Sequence, residues 1–558
     1  MTRALNLDTS QKTKSGLDTA LLKAKQKHLH IRVSKGRGFT GYISSKTKKS
    51  FEKLRTSVTF KGHLVHSSLV PCTVEPFFNV DLLAPLLKGN KKEGGGSVND
   101  LLEREDKVRV TVCVISVDEK DYPIDCRVMG FCELDCREAI VSSKGYVRKL
   151  LQLQEGEPTS TLVPGAIDLT LRVVPALTEP VDKVDYNRQI REEEMAKSSK
   201  FTHFLTVAKS SWSDYISKSE VFKQRPIKLI AYGEDGLQHC SCEFLKPLKC
   251  GRAIKTPKQA AYWVSLLQED SMAQMLGDVS TRWSSFQTIA SQGSAKAEEK
   301  ALLLCSLLLG FGLDAYVCYG YDKQNRVHSW VMTLMKSEST AMFWEPLNAS
   351  CYSIYDCPYS NIGCIFNNHA IYLNSQPDHS IESTAFDLER SELWMSVHYG
   401  KSANFVLHPF PLAKPSVTSE EEEEILQESI KAGIESFRRE KGLEQTLWDE
   451  NLEHVLSQAL VAYETEASSG QAAPGNMEFQ QSVKRMVPVG YTFKGAPMQF
   501  KDRNSNRILK MLLEESSTLD IILSGSPNTV LALSANVNLY PNDLSSTWIM
   551  VASRTPKA

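Results

Sequence analysis

Between Leu29 and Val174 apolar residues recur at every second position in six separate runs: LHIRV, LRTSVTF (54–60), FFNVDL from Phe77, KVRVTVCVISV from Lys107, CRVMGFCEL and IDLTLRVV (167–174). A period of two marks a strand with one face buried. Several such strands, parted by turns over about 150 residues, predict an antiparallel β-sandwich. The insert KGNKKEGGGSVND (88–100) reads as a Gly-rich loop within it. Residues 1–62 carry 15 Lys/Arg against 3 Asp/Glu, and residues 1–24, which lack apolar periodicity, read as a basic flexible tail.

Helical spacing then takes over. Phe201, Leu205, Ala208, Trp212 and Ile216 fall on one helix face. IKLIAYGEDGLQHCSCEF predicts a hairpin turning at Asp235-Gly236, and Thr256-Pro257 an N-cap with Pro at the first helical position. Another apolar helix is expected from Ala297 to Leu309, stopped by Gly310 and Gly312. Three β-like segments follow, at Ala315, Val327 and Met342. Ser419 and the run Glu420 to Glu424 predict a helix start whose acids oppose the positive end of the dipole, with Leu426, Ile430, Ile434 and Phe437 buried. The segments FQQSVKRMV, ILKMLLEE, LDIILSG, TVLALSANVNLY and TWIMVAS predict a small C-terminal α/β domain.

At 558 residues, three to four domains are expected. The 65 Lys+Arg balance 66 Asp+Glu, so no global charge points to nucleic acid, and no aromatic and basic array or phosphate loop does so locally. The longest uncharged apolar stretch, 301–313, is shorter than the roughly 20 residues a bilayer needs. No apolar run follows the charges of MTRALNLDTSQKTK, which argues against a secretory leader and for a reducing compartment with 13 free cysteines. No C-x-x-C pair suggests zinc, and no cofactor is expected.

A thiol protease or acyltransferase needs a Cys of lowered pKa, a His to carry its proton and a carboxylate or amide to orient that His. Here an apolar helix precedes a strand with His328, and the next strand carries Glu345. Residues 201–400 resemble the transglutaminase-like region of the family of 76-kilodalton centrosomal proteins. The stretches that carry it are LKPLKCGRAIKTPKQAAYWV, ALLLCSLLLGFGLDAYVCYG, VHSWVMT, FWEPL and IGCIFNNHAIYLN. FKGAPMQFKDRN and TWIMVAS extend the resemblance to the C-terminal region, and the sandwich occupies the place of that family's C2-type domain.

The family's transglutaminase pattern opens its helix with Gly-Asp-Cys-Glu-Asp-His-Ala, the Cys eight residues before Leu-Leu-Cys. Leu303-Leu304-Cys305 therefore sets Ala297 at the nucleophile's position, with Lys296 before it and Lys300 where the motif has His. Cys305 lies about 12 Å further along the helix and reads as a buried structural thiol. His328 and Glu345 match the base and its orienting acid, so the resemblance implies a pseudoenzyme with a degenerate triad at Ala297, His328 and Glu345. Core packing is expected of Trp330 and Trp344.

Calcium-dependent C2 domains converge several carboxylates on an ion that takes 6 to 8 oxygens. SKGRGFTG (34–41) has no acid, and Asp118, Glu119 and Asp121 form a lone group, so no metal is expected. Arg32, Lys35, Arg37, Lys46, Lys48 and Lys49 are candidates for contact with an acidic protein surface such as tubulin, or for weak contact with an anionic membrane.

The expected fold is multidomain α+β: a basic tail (1–24), a C2-type antiparallel β-sandwich (25–178), a helical linker and hairpin (179–255), a transglutaminase-like, papain-like α+β domain (256–412) and a C-terminal α/β domain (413–558). The resemblance implies a non-enzymatic scaffold of the centriole, basal body or ciliary axoneme, with centriolar or axonemal protein partners. The competing readings are a cysteine hydrolase or acyltransferase that pairs Cys305 or Cys318 with His328, and a peripheral membrane module.

Overall fold

The computed structural model describes residues 27–39, 51–86, 102, 105–118, 122–155, 164–175, 181–269, 282–335, 340–400, 405–443, 445–473, 475–525 and 528–557. The tail 1–24, the insert 88–100, Lys46, Lys48, Lys49, Glu119 and Asp121 lie outside these residues.

Eight main strands build the sandwich: β1 (His28–Arg37), β2 (Phe51–Phe60), β3 (His63–His66), β4 (Phe77–Pro85), β5 (Lys107–Val117), β6 (Pro123–Asp135), β7 (Tyr146–Gln152) and β8 (Ala166–Val174). They pair antiparallel in two sheets, β4–β1–β8–β7 and β3–β2–β5–β6, the second flanked by two-residue strands. All six period-2 runs are strands. β3 and β7 escaped notice because their alternation is short or mostly exposed. Leu29, Ile31 and Val33 meet Leu169, Leu171, Val108, Val110 and Val112 in the core. Each such side chain contributes about 1.5–3 kcal/mol of burial.

The chain then runs through α1 (Lys183–Lys218), whose N-cap Asp182 accepts from the Val184 amide. Its buried residues are Phe204, Ala208 and Tyr215, so the buried stripe is turned slightly from the expected one and Leu205 sits at its margin. β9 (Ile230–Gly233) and β10 (Gln238–Cys240) form the expected hairpin, with Gly236 at φ 76°. In α2 (Pro257–Leu266) the Thr256 hydroxyl accepts from the Gln259 amide at 3.1 Å. α3 (Phe286–Gln292) and α4 (Ala297–Gly310) precede a seven-stranded antiparallel sheet. Its main strands are β11 (Ala315–Asp322), β12 (Val327–Met335), β13 (Thr340–Trp344), β14 (Tyr359–Phe366), β15 (Ala370–Asn374) and β16 (Trp394–His398), ordered β13–β12–β11–β14–β15–β16. One core holds Phe204, Tyr215 and Cys240 together with Trp263, Leu304, Val317, Val331 and Phe410, so the helix and hairpin before residue 256 share it with α2, α4 and one face of the large sheet. Gly310 closes α4 because a Cβ there would stand 1.8 Å from the Leu248 carbonyl oxygen.

The last part comprises α5 (Ser419–Glu440), α6 (Glu450–Ser469), α7 (Gly475–Met486), β17 (Tyr491–Phe500), α8 (Ser505–Glu514), α9 (Ser516–Ile522), β18 (Val530–Tyr540) and β19 (Leu544–Pro556). Its sheet, β17–β19–β18, is antiparallel throughout. Leu426, Ile430 and Ile434 of α5 are buried as their spacing predicted, while Phe437, expected with them, is half-buried. No helix among the described residues is long and apolar enough to cross a membrane.

Buried polar groups fasten the three parts. Arg109 of β5 reaches Glu234 at 2.8 Å and the Thr288 hydroxyl at 2.7 Å, while also pairing with Glu133 at 3.0 Å. Glu464 of α6 accepts from the Tyr262 hydroxyl at 2.7 Å, the Ser546 hydroxyl at 2.6 Å and the Trp548 indole at 2.7 Å. Asn504 donates to Asp118 at 3.1 Å, clasping the sandwich to the C-terminal part directly.

Candidate functional site

The start of α4 is tied down by its own acids. Glu299 accepts from the amides of Lys296 and Ser284 at 2.9 and 2.6 Å, and Glu298 from the Trp283 indole at 2.5 Å. Ala297 is the first helical residue and half-buried. The N-terminal amides of a helix stabilise an anion such as a thiolate, and the side chain placed to use them here is a methyl group. One turn on, Lys300 is fully buried and donates to the Leu267 carbonyl at 2.6 Å. Burial, with the charge of Lys501, pulls its amine down to about 7, while Glu269 and Glu345 act the other way.

The structure brings His328 and Glu345 together. The imidazole Nε2 meets Glu345 Oε2 at 2.9 Å, which leaves Nδ1 as the ring's other polar edge. The same carboxylate oxygen accepts from the Tyr359 hydroxyl at 3.0 Å, and Oε1 from the Leu347 amide at 3.1 Å. Burial and the adjacent carboxylate push the Tyr359 phenol well up. The His328 ring stacks on Tyr359 and Trp330, with centroids at 5.9 and 6.3 Å, and Trp330 lies on Tyr359 at 4.0 Å. These aromatics belong to the face of the sheet opposite the one α4 packs on, where Val317 and Val331 sit. Trp330 is fully buried, and Trp344 is half-buried with its indole donating to Thr333. Tyr359 is the member of this cluster that sequence reasoning missed; it lies on β14, with no motif linking it to Glu345.

The two alternative thiols are far less suited to chemistry. Cys305 and Cys318 are both fully buried, on opposite faces of the sheet, and burial pushes both thiols well up. A thiolate is the reactive form, so neither is activated.

In the sandwich, Arg32 and Arg37 are exposed, and Lys35 pairs with Glu75 at 2.9 Å over the Phe77 ring. Register adds two residues the sequence reading passed over. Arg32 faces Thr170 across β1 and β8, Arg148 faces Thr170 from β7, and Arg172 lies one outward position along. Arg148 pairs with Asp168 at 2.5 Å and Arg172 stacks over Tyr146. Asp118, the candidate loop acid, is committed to the Tyr122 amide at 2.9 Å and to Asn504. No group of three or more potential ligands converges for a metal among the described residues.

Three family models match in chain order: a CEP76 C2 domain over residues 20–179, a CEP76 peptidase-like domain over 281–397 and the C-terminal domain of the centrosomal protein of 76 kDa over 415–556. The chain is 29% identical to the centrosomal protein of 76 kDa of Xenopus tropicalis over 95% of its own length and 83% of that protein. It is 28% identical to the Homo sapiens protein over 95% of its length and 84% of the relative. Among solved structures, the SMP domain and paired C2 domains of extended synaptotagmin 2 match with a TM-score of 0.19 and 14% identity over 28% of either chain.

Proposed function

Since the chain belongs to the family of the centrosomal protein of 76 kDa, we propose that it is a centrosomal interaction protein whose peptidase-like domain has become a pseudoenzyme. The observation that carries this reading is the alanine at the first position of α4. A helix start, a base and an orienting acid are retained, and no nucleophile stands where the dipole would charge it. Without a covalent intermediate, the His328–Glu345–Tyr359 cluster serves packing or recognition. The burial of Cys305 and Cys318 speaks against the alternative of an unaligned thiol enzyme.

Within that reading, the chain acts as a scaffold at the centriole, basal body or axoneme. Its exposed basic residues Arg32, Arg37 and Arg172, with Lys46, Lys48 and Lys49 in the neighbouring stretch, meet an acidic protein surface such as that of tubulin. Imaging the tagged protein against centriole and axoneme markers tests the location, and diffuse cytoplasmic signal overturns it. Turnover of a peptide or acyl substrate by purified protein, lost on His328→Ala, overturns the pseudoenzyme. A second reading, weak membrane contact, is favoured by the exposed Tyr146 and Leu150 beside these arginines on the β4–β1–β8–β7 face. Sedimentation with anionic vesicles over a salt series separates the two.

A further inference from the structure

β18 is one of the two edge strands of the C-terminal sheet, and its outer edge is fastened mostly by side chains instead of another strand. At one end Leu531 exchanges backbone hydrogen bonds with Leu447 and Asp449. Further along, the Ala535 amide donates to Gln427 Oε1 at 3.3 Å and the Val537 amide to Glu423 Oε1 at 2.9 Å, both from α5. The alternation of ladder hydrogen bonds turns the Leu533 amide the same way. A stretch of edge held only by side chains is a template for strand addition, because a peptide backbone offers the same acceptors in register.

This edge floors a groove of about 540 Å³ between α5 and α6. Its walls carry Glu420, Glu424 and Glu428 on one side and Glu450 and Glu453 on the other, with Lys431 paired to Glu453 at 2.6 Å. Ser534 and Ala535 line the floor, and Ser534 is 2 % exposed. The carboxylates are strung along two helices and do not converge as a metal cage would.

We propose that this groove docks an extended, Lys/Arg-rich segment of a partner protein, which adds as a strand to the β18 edge from Leu533 to Val537. Its backbone replaces the acceptors of Gln427 and Glu423, and alternate basic side chains meet the two glutamate walls. The site extends the interaction-protein reading to a second surface and rests on that reading only in supposing that a partner exists; the peptidase-like cluster plays no part in it.

The probe is a fluorescein-labelled ten-residue peptide alternating lysine and valine, titrated into the full chain by anisotropy. Three results are expected. Glu424→Gln with Glu428→Gln and Glu450→Gln, all exposed positions, weakens binding at least tenfold. N-methylating alternate peptide amides, which keeps every charge, also weakens it at least tenfold. Gln427→Ala, which removes one competing acceptor, tightens it several-fold. Absence of binding at 50 mM salt overturns the proposal, as does binding indifferent to the glutamate changes or to N-methylation. None of these variants touches His328 or α4, so failure here leaves the pseudoenzyme reading standing, and turnover there leaves this groove standing.

Discussion

Arg109 and Glu234 meet at 2.8 Å across the boundary between the sandwich and the peptidase-like part, with the guanidinium almost wholly buried. The Phe131 ring lies 3.9 Å beneath it, and its two terminal nitrogens also donate to Glu133 and Thr288. A buried ion pair adds little over a well-packed apolar substitute, but removing one partner strands the other charge. Arg109→Ala should therefore cost about 3–5 kcal/mol, and it should split a single urea transition into two as the sandwich uncouples. Unchanged unfolding, followed by intrinsic fluorescence, would show that the boundary is held elsewhere.

Lys300 gives a pH dependence with a definite sign. Its amine is pulled from the usual 10.5 down to about 7 by burial. Between those values the unfolded chain holds a proton that the folded chain lacks. Stability attributable to this group therefore rises with pH across that window, by up to about 1.4 kcal/mol per unit. Below pH 7 both states are protonated and the full cost of a buried ammonium remains. Lys300→Met should raise stability at pH 7 and flatten the slope in urea titrations at pH 7, 8 and 9. An equal slope in parent and variant would dismiss the effect.

Thiol chemistry should be silent until a cysteine is placed at the start of α4. A chloroacetamide probe at pH 7 should leave Cys305 and Cys318 unlabelled in the folded chain, because their thiolates are disfavoured by burial. Ala297→Cys should be labelled, since the amides at the start of α4 favour an anion there. Comparing Ala297→Cys with and without His328→Ala measures whether His328 acts on a thiol at that position. His328-dependent labelling of native Cys305 or Cys318 would falsify the pseudoenzyme assignment.

Gly310→Ala should reverse the usual sign of that change. In an exposed helix interior alanine is favoured over glycine by about 1 kcal/mol. At this position the new methyl would stand 1.8 Å from the Leu248 oxygen and force α4 away from that backbone. A loss of about 1–3 kcal/mol is expected, seen as a lower melting temperature; a rise would mean that the contact yields.

Calorimetry with calcium should give no saturable isotherm, since Asp118 already accepts from Tyr122 and Asn504. A micromolar isotherm lost on Asp118→Ala would contradict this.

Local features were the legible ones. Period-2 runs, Thr256-Pro257, Asp235-Gly236 and the apolar run into Gly310 each specify structure within a few residues, and all appear where they were read. His328 and Glu345 were legible from the order of helix and strands and from the resemblance, and antiparallel register turns their separation of 17 residues into a 2.9 Å contact. Tyr359 was not legible, nor were the partners of Arg109, one of them 179 residues away. The linker expected at 179–255 lost its separateness for the same reason: Phe204, Tyr215 and Cys240 find their core partners in segments read as a different domain.

The hydrogen bond from Asn504 to Asp118 joins the first and last parts of the chain without passing through the middle one. Mechanically, the molecule is a closed ring of three blocks instead of three beads on a string. Lengthening the crossing at residues 413–418 should therefore leave its reach unchanged. Two targets, one held by the basic sandwich face and one by the β18 groove, would be kept at a fixed spacing and angle, as by a set square.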